Sequence, residues 1–391
     1  MKILQVYHIY PELFGGVSTV VYQVTRELCK RGHEVHVLTT DAYFKGKESR
    51  EKEVKVYRFR LVSQMLSKYN LIVPEIKFIP YTKRLIKEYD CIHIHGYRNL
   101  YNEIIRHFAV RHRVPYILQA HGSIPRKGKW VLKLTYDALF GYRLLKDASK
   151  VIALNKVEAQ QYRSIGVPED KITIIPNGID LSEYAELPPK GAFKKKFNIP
   201  GDKKIILYLG RIHKTKGIDF LVRAYAYLTK KMNFKDAVLI IAGPDDGYLN
   251  EVKALASSLG VYNSTIFTGF LSNENKLKAL VDADVFVTPS FYGFPITFLE
   301  ACAVGTPIVT TSLGDMLEWI DGKVGYVTRP TCCDLAEALY RIVSDDELCR
   351  KFSRNCIEVV RSYFLLEKVV ERLEEIYKEV VESMVYETSD Y

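Results

Sequence analysis

Apolar residues along the chain gather into short runs, with stretches of helical period between them. In the first half the runs are Ile3–His8, Val35–Thr39, Val54–Phe59, Cys91–His95, Tyr116–Ala120, Val151–Leu154 and Ile172–Ile175. Short runs rich in β-branched residues predict strands buried on both faces. Between the first two, Val17, Val20, Val21, Val24 and Leu28 share one helical face that Gly32 closes. The second half repeats the plan with Ile205–Leu209, Val238–Ala242, Ile266–Thr268, Val285–Thr288, Ile308–Thr311 and Gly325–Thr328. Two successive strand–helix series predict an α/β protein of two doubly wound, Rossmann-like domains facing a cleft. The expected division is 1–178 and 179–365, with a C-terminal helix over 366–391 able to cross back to the first domain. Pro176–Pro200, with Pro188, Pro189 and the run Lys194-Lys195-Lys196, reads as the link.

The second half is organised around Pro289–Val309. Asp284–Thr288 reads as a buried parallel strand, and Pro289 and Ser290 end it. Gly293 allows a tight turn, and Pro295 presets φ for the first turn of a helix. Thr297, Phe298, Leu299 and Glu300 continue that helix, and Gly305-Thr306-Pro307 stops it. A strand, a turn and a helix N-terminus make an anion site, because free N–H groups and the helix dipole point at the ligand. Glu300 lies about two turns beyond Gly293, near enough to accept from ligand hydroxyls. A phosphate and a diol in one pocket suggest a nucleotide sugar.

Other motifs sit at strand ends. Gly15-Gly16 follows the first strand and opens a helix, where a glycine pair lets a ligand approach the backbone. It lacks the G-x-G-x-x-G spacing, so it reads equally as a plain turn. Leu209-Gly210-Arg211-Ile212-His213-Lys214-Thr215-Lys216-Gly217 opens the first unit of the second domain. Arg211 offers a planar fork and Lys216 a compact charge for a diphosphate; otherwise both are solvated loop cations. Ala120-His121-Gly122-Ser123 ends a strand, where ligands of open α/β sheets bind. His8, His93 and His95 also lie at strand ends, and no carboxylate joins them in metal-ligand spacing. Pro176-Asn177-Gly178-Ile179-Asp180 reads as a turn at a hinge.

Length and charge refine the picture. The 391 residues suffice for two cores. No apolar run approaches the ~18 residues of a membrane span. The start MKILQVYHIY reads as a strand rather than a leader, which places the expected location in the cytoplasm. The 7 cysteines show no C-x-x-C and no zinc spacing, so they read as free thiols. Net charge is +10, and residues 1–200 hold 34 Lys and Arg against 19 Asp and Glu, leaving 22 against 27 beyond. A basic first half implies either a well-solvated surface or an anionic partner.

Together, FGGVS at 14–18, AHGS at 120–123, PNGID at 176–180, LGRIHKTKGID at 209–219 and the 289–309 stretch resemble glycosyltransferase family 4, retaining enzymes of the GT-B fold. The resemblance implies a nucleoside diphosphate sugar as donor and a glycan or lipid-linked acceptor, with no cofactor and no nucleic acid; no Asp–Asp pair with metal spacing appears, so cations and dipoles can replace Mg²⁺. It implies that Arg211 and Lys216 grip the diphosphate and that Glu300 holds the ribose. Gly15 and Gly16 would approach the phosphates, His121 the transferred sugar, and Gly269, Phe270 and Leu271 the nucleobase. The family's first motif Glu, which contacts the sugar, falls here on Tyr292. Tyr292 itself, backbone N–H groups around Phe294, Pro295, Ile296 and Thr297, or another residue would then hold the sugar hydroxyls. The alternatives are an epimerase of the same architecture and a non-catalytic nucleotide-sugar-binding subunit.

One surface stretch is separate from these motifs. Arg126, Lys127, Lys129 and Trp130 lead into Val131, Leu132, Leu134, Ala138, Leu139, Tyr142 and Leu145 at roughly helical spacing. One reading buries that apolar face in the domain core. The other rests the Trp130 end on an anionic membrane that carries the acceptor, as a peripheral contact on its inner face.

Overall fold

The computed structural model describes residues 1–10, 15–42, 54–67, 72–126, 130–290, 294–311 and 317–389. The chain divides into two compact units, and Met1–Gly178 with Leu366–Tyr391 make up most of the first. Its sheet has seven strands: β1 (Lys2–Val6), β2 (Glu34–Thr40), β3 (Lys55–Phe59), β4 (Cys91–His95), β5 (Tyr116–Gln119), β6 (Lys150–Ala153) and β7 (Ile172–Ile174). The order is β3-β2-β1-β4-β5-β6-β7, and every pair is parallel. Ile3 stands opposite both Val35 and Cys91, so β1 is where the order reverses. In such sheets the crevice at the C-terminal strand ends beside the reversal takes the ligand. Leu4, Val6, Ile92, Ile94 and Leu118 are fully buried, which explains their near-continuous apolar runs.

The C-terminal helix Leu366–Ser389 belongs to this first unit. Arg31 and His33 fasten it through Glu374, at 2.9 and 2.6 Å. Gly178 is needed where it begins, because a Cβ there would lie 2.9 Å from the Leu366 Cα. Tyr377 reaches inward from this helix and is fully buried.

The second unit spans most of Ile179–Leu365. Its six strands are β8 (Lys204–Leu209), β9 (Ala237–Ala242), β10 (Thr265–Gly269), β11 (Val285–Thr288), β12 (Ile308–Thr311) and β13 (Gly325–Thr328). They run parallel in the order β10-β9-β8-β11-β12-β13. The reversal here falls between β8 and β11, so the Arg211 loop and the Pro289 stretch leave adjacent strands.

One expectation is corrected. Residues 179–200 are not a solvated link but part of the second unit. Lys194-Lys195-Lys196 lie in a short helix, Ala192–Lys196, with Phe193 fully buried beneath it. The Asp282 carboxylate accepts from the N–H groups of Gly191, Phe193 and Lys194 at 2.6–3.0 Å. The charge run hid one buried aromatic and an acid 88 or more residues away.

Candidate functional site

Beyond β8 the chain turns through Gly210 and Arg211 into a 3-10 turn, Lys214–Lys216. The His213 ring accepts from the Thr215 N–H and holds that turn. Gly217 then has φ +67, where a side chain would be strained, and a Cβ there would lie 3.4 Å from those of Pro289 and Ser290. This glycine lets the Lys216 loop lie directly against the end of β11. Thr310 and Thr311 donate to the carbonyls of Thr288 and Pro289, fixing that strand end.

Two cations flank this junction. Arg211 is exposed and ion-paired with Asp246 at 2.5 Å. Lys216 is half-buried; that burial, and then the nearby Arg211, lower its pKa. It has no ion-pair partner among the described residues. A desolvated, unpaired ammonium beside a second cation is arranged to receive an anion.

The helix Ile296–Ala303 begins at Pro295, which supplies no side-chain cap. The Phe298 N–H turns back to the Pro295 carbonyl at 3.1 Å, and among the described residues the Ile296 and Thr297 amides are the open donors. Phe294 is buried, and its carbonyl accepts from Asn177 Nδ2 at 2.9 Å. Tyr292 and Gly293 lie outside the described residues.

Glu300 is buried on this helix and has a partner that the motif did not reveal. Lys276 Nζ donates to its Oε1 at 2.8 Å. Lys276 comes from the helix Asn273–Asp282, and nothing in its local sequence signals the pairing. The Tyr184 hydroxyl is also near, its pKa raised by burial and then by the Glu300 charge. At the end of β10, Gly269 has φ +67, Phe270 is exposed and Leu271 half-buried.

In the first unit, Gly15 precedes the helix Gly16–Lys30 with φ +130 and open space where a Cβ would stand. Among the described residues no side chain caps that helix at Gly15. His121 follows β5 with φ +52, a left-handed backbone uncommon outside glycine. Glu158 holds this corner by accepting from Gly122 N–H at 2.6 Å and Leu154 N–H at 2.8 Å. His121 Nε2 lies 2.9 Å from His95 Nδ1. Burial pushes the His121 pKa down to about 3, so the ring is neutral. A neutral ring can orient a hydroxyl but cannot act as a cation.

The 130–146 segment departs from both simple expectations. Trp130–Tyr136 is helical, Asp137–Gly141 is one π turn, and Tyr142–Lys146 resumes the α-helix. The π turn inserts an extra residue, so apolar positions at helical spacing no longer share one face. Of the seven positions, only Leu145 reaches the core; Trp130, Leu132 and Leu139 are 63%, 58% and 55% exposed. Arg126 is not a free surface cation: its Nε donates to buried Asp137 at 2.8 Å and its Nη2 to the Tyr142 hydroxyl at 2.9 Å. Arg98 shares the same carboxylate. Lys127 and Lys129 lie outside the described residues.

Comparison with known proteins follows the same division. The family model "Glycosyltransferase Family 4" matches residues 14–183, and "Glycosyl transferases group 1" matches residues 189–359. The chain belongs to the group 1 glycosyltransferases. An uncharacterised glycosyltransferase of Methanocaldococcus jannaschii is 29% identical, covering 98% of this chain and 100% of its own. A GDP-mannose-dependent phosphatidylinositol monomannoside mannosyltransferase of Mycolicibacterium smegmatis is 27% identical over 83% of this chain and 84% of its own. Among solved structures, Anabaena HepE in complex with UDP and glucose superposes with a TM-score of 0.78 at 16% identity. That match covers 97% of this chain and 100% of HepE. The fold is therefore GT-B, and the enzyme is a glycosyltransferase; epimerisation and pure nucleotide-sugar binding are not favoured.

Proposed function

We propose that this glycosyltransferase moves a hexose-type sugar from a nucleoside diphosphate donor to a glycan or lipid-linked acceptor, with retention at the anomeric carbon and without a metal. The observation that carries the donor half is the junction in the second unit. There Lys216, Arg211 and the open amides of Ile296 and Thr297 leave neighbouring strands, with Gly217 packed against Pro289 and Ser290. As the glycosyl–phosphate bond breaks, negative charge grows on the diphosphate, and these groups oppose it without reorganising. The acceptor oxygen bonds to the anomeric carbon on the face the phosphate leaves, and its proton passes to the departing phosphate oxygen. Glu300 accepts from the ribose hydroxyls, Leu271 lies beside the base, and His121 orients the sugar. Gly15 and Gly16 give the phosphates room. HepE, a protein of the same fold, is solved with UDP and glucose, which supports a nucleoside diphosphate donor.

The lipid side of this reading rests on the 130–142 surface. Trp130, Leu132 and Leu139 are exposed, and residues 124–146 carry six Lys and Arg against one Asp, itself buried. Exposed apolar side chains within so basic a segment suit the interface of an anionic membrane, on the cytoplasmic face where nucleotide sugars are made. No helix among the described residues is long and apolar enough to cross a membrane. A relative of M. smegmatis is named for a phosphatidylinositol-linked acceptor, in keeping with a lipid partner. The test of the transfer reading is substitution of the diphosphate grip. Arg211→Ala and Lys216→Ala should each lower kcat/KM by roughly 10²–10³-fold with the fold intact. Near-normal turnover by both variants would remove the assignment.

A further inference from the structure

The first unit buries a line of polar side chains that the donor chemistry does not call for. It begins on the C-terminal helix and ends at His121. The Tyr377 hydroxyl lies 2.7 Å from His93 Nδ1 and 3.3 Å from Gln5 Nε2. Gln5 stands in the middle of β1, and its Oε1 lies 2.7 Å from His95 Nε2. His95 Nδ1 in turn lies 2.9 Å from His121 Nε2. Gln5, His93, His95 and Tyr377 are all fully buried. Buried polar groups in cores are usually partnered, and along this line each sets the next, with His93 Nε2 left without a partner among the described residues.

The proton positions follow from donor and acceptor rules. Burial keeps the three imidazoles neutral, so each has one donor nitrogen and one bare nitrogen. Gln5 donates through Nε2 to the tyrosine hydroxyl, and its Oε1 can only accept. His95 therefore carries its proton on Nε2 and turns a bare Nδ1 to His121. His121 must then carry its proton on Nε2. Its Nδ1 is left bare, with no hydrogen-bond partner among the described residues. The left-handed backbone that Glu158 holds fixes where that ring stands.

We propose that Gln5, His95 and Tyr377 are positioning residues that lock His121 in the Nε2–H tautomer, so that its bare Nδ1 accepts a hydrogen bond from a hydroxyl of the transferred sugar. The proposal rests on the reading of His121 as the sugar contact. It gives the C-terminal helix a chemical task besides packing, since the Tyr377 hydroxyl accepts from Gln5 Nε2 and so keeps the Gln5 Oε1 toward His95. It also explains why an amide, able to accept on one side and donate on the other, stands at position 5 among apolar neighbours.

The test is nitrogen-15 NMR of histidine rings in the full chain, with His121 assigned by its loss in His121→Ala. The wild type should show Nδ1 unprotonated and Nε2 protonated. Gln5→Leu should leave His121 a mixture of tautomers, and Tyr377→Phe should shift the mixture less. In transfer assays both should lower kcat by about 2- to 10-fold, the size of one neutral hydrogen bond, with nucleotide affinity unchanged. Tyr377→Phe changes little volume and keeps the test open if Gln5→Leu folds poorly. A wild-type His121 protonated on Nδ1 would overturn the proposal. So would an unmoved tautomer in both variants. Full transfer activity of His121→Ala would instead remove the sugar contact, while the tautomer shifts would still report whether the line exists.

Discussion

Substituting Lys276 tests whether the Glu300 carboxylate is held by the protein before any ligand arrives. The two members of this pair are unequally placed: the Glu300 side chain is 7% exposed and that of Lys276 30%. Lys276→Met strands a buried charge, whereas Glu300→Gln leaves an ammonium that still reaches water and still has an oxygen to donate to. Breaking a fully buried pair from one side costs about 3–5 kcal/mol, and the partial exposure of Lys276 reduces that to about 2–3 kcal/mol. In a unit of this size, a Tm falls about 2–4 °C per kcal/mol, so Lys276→Met should lower it by about 4–12 °C. Glu300→Gln should cost less than about 1 kcal/mol, and the double variant should recover to near the Glu300→Gln value. Calorimetric melting without donor measures all three. Equal losses for the two single variants, or a double variant as unstable as Lys276→Met, would refute the argument.

Other outcomes follow from the same geometry. Glu300→Gln should weaken nucleoside diphosphate binding by about 10- to 150-fold, the size of one charge-assisted hydrogen bond, as read by titration calorimetry. Lys216 has a lowered pKa when free and a raised one beside a diphosphate, so binding takes up a proton as pH rises. Affinity should therefore fall at a pH below the ordinary lysine range, and Lys216→Arg should remove that fall; a pH-independent affinity in the wild type would contradict it. Trp130→Ser with Leu132→Ser should abolish sedimentation with phosphatidylglycerol vesicles and leave nucleotide affinity unchanged. Equal wild-type sedimentation with neutral vesicles, or none with either, would remove the electrostatic part. Tyr292→Glu should change the ratio of kcat/KM across donor sugars while free nucleotide affinity stays the same.

The strands were the most legible feature of the sequence. Cys91–His95, Val285–Thr288 and Ile308–Thr311 begin and end where the apolar runs do, because strands covered on both faces have no polar face to blur them. The Arg211, Lys216 and Pro295 loops were visible because glycine and proline mark backbone geometry locally. What stayed hidden was pairing across distance. Lys276 meets Glu300, Asp282 caps 191–194, and Tyr377 meets Gln5 through contacts that no local period records. The 130–146 segment misled for a different reason: its spacing is helical, but a π turn over Asp137–Gly141 breaks the register. Gly141 permits that turn, since any side chain there would collide with the Tyr97 hydroxyl.

Retention and the diphosphate grip are tested most directly by proton NMR of the product formed from a panel of α-linked UDP-, GDP- and ADP-sugars, with acceptor extract or with water as acceptor. One donor should be consumed, nucleoside diphosphate should be released, and the first-formed sugar product should carry the α anomeric signal. Arg211→Ala with Lys216→Ala should abolish that signal. A β anomer formed first would contradict retention, and an active double variant would contradict the diphosphate grip on which the mechanism stands.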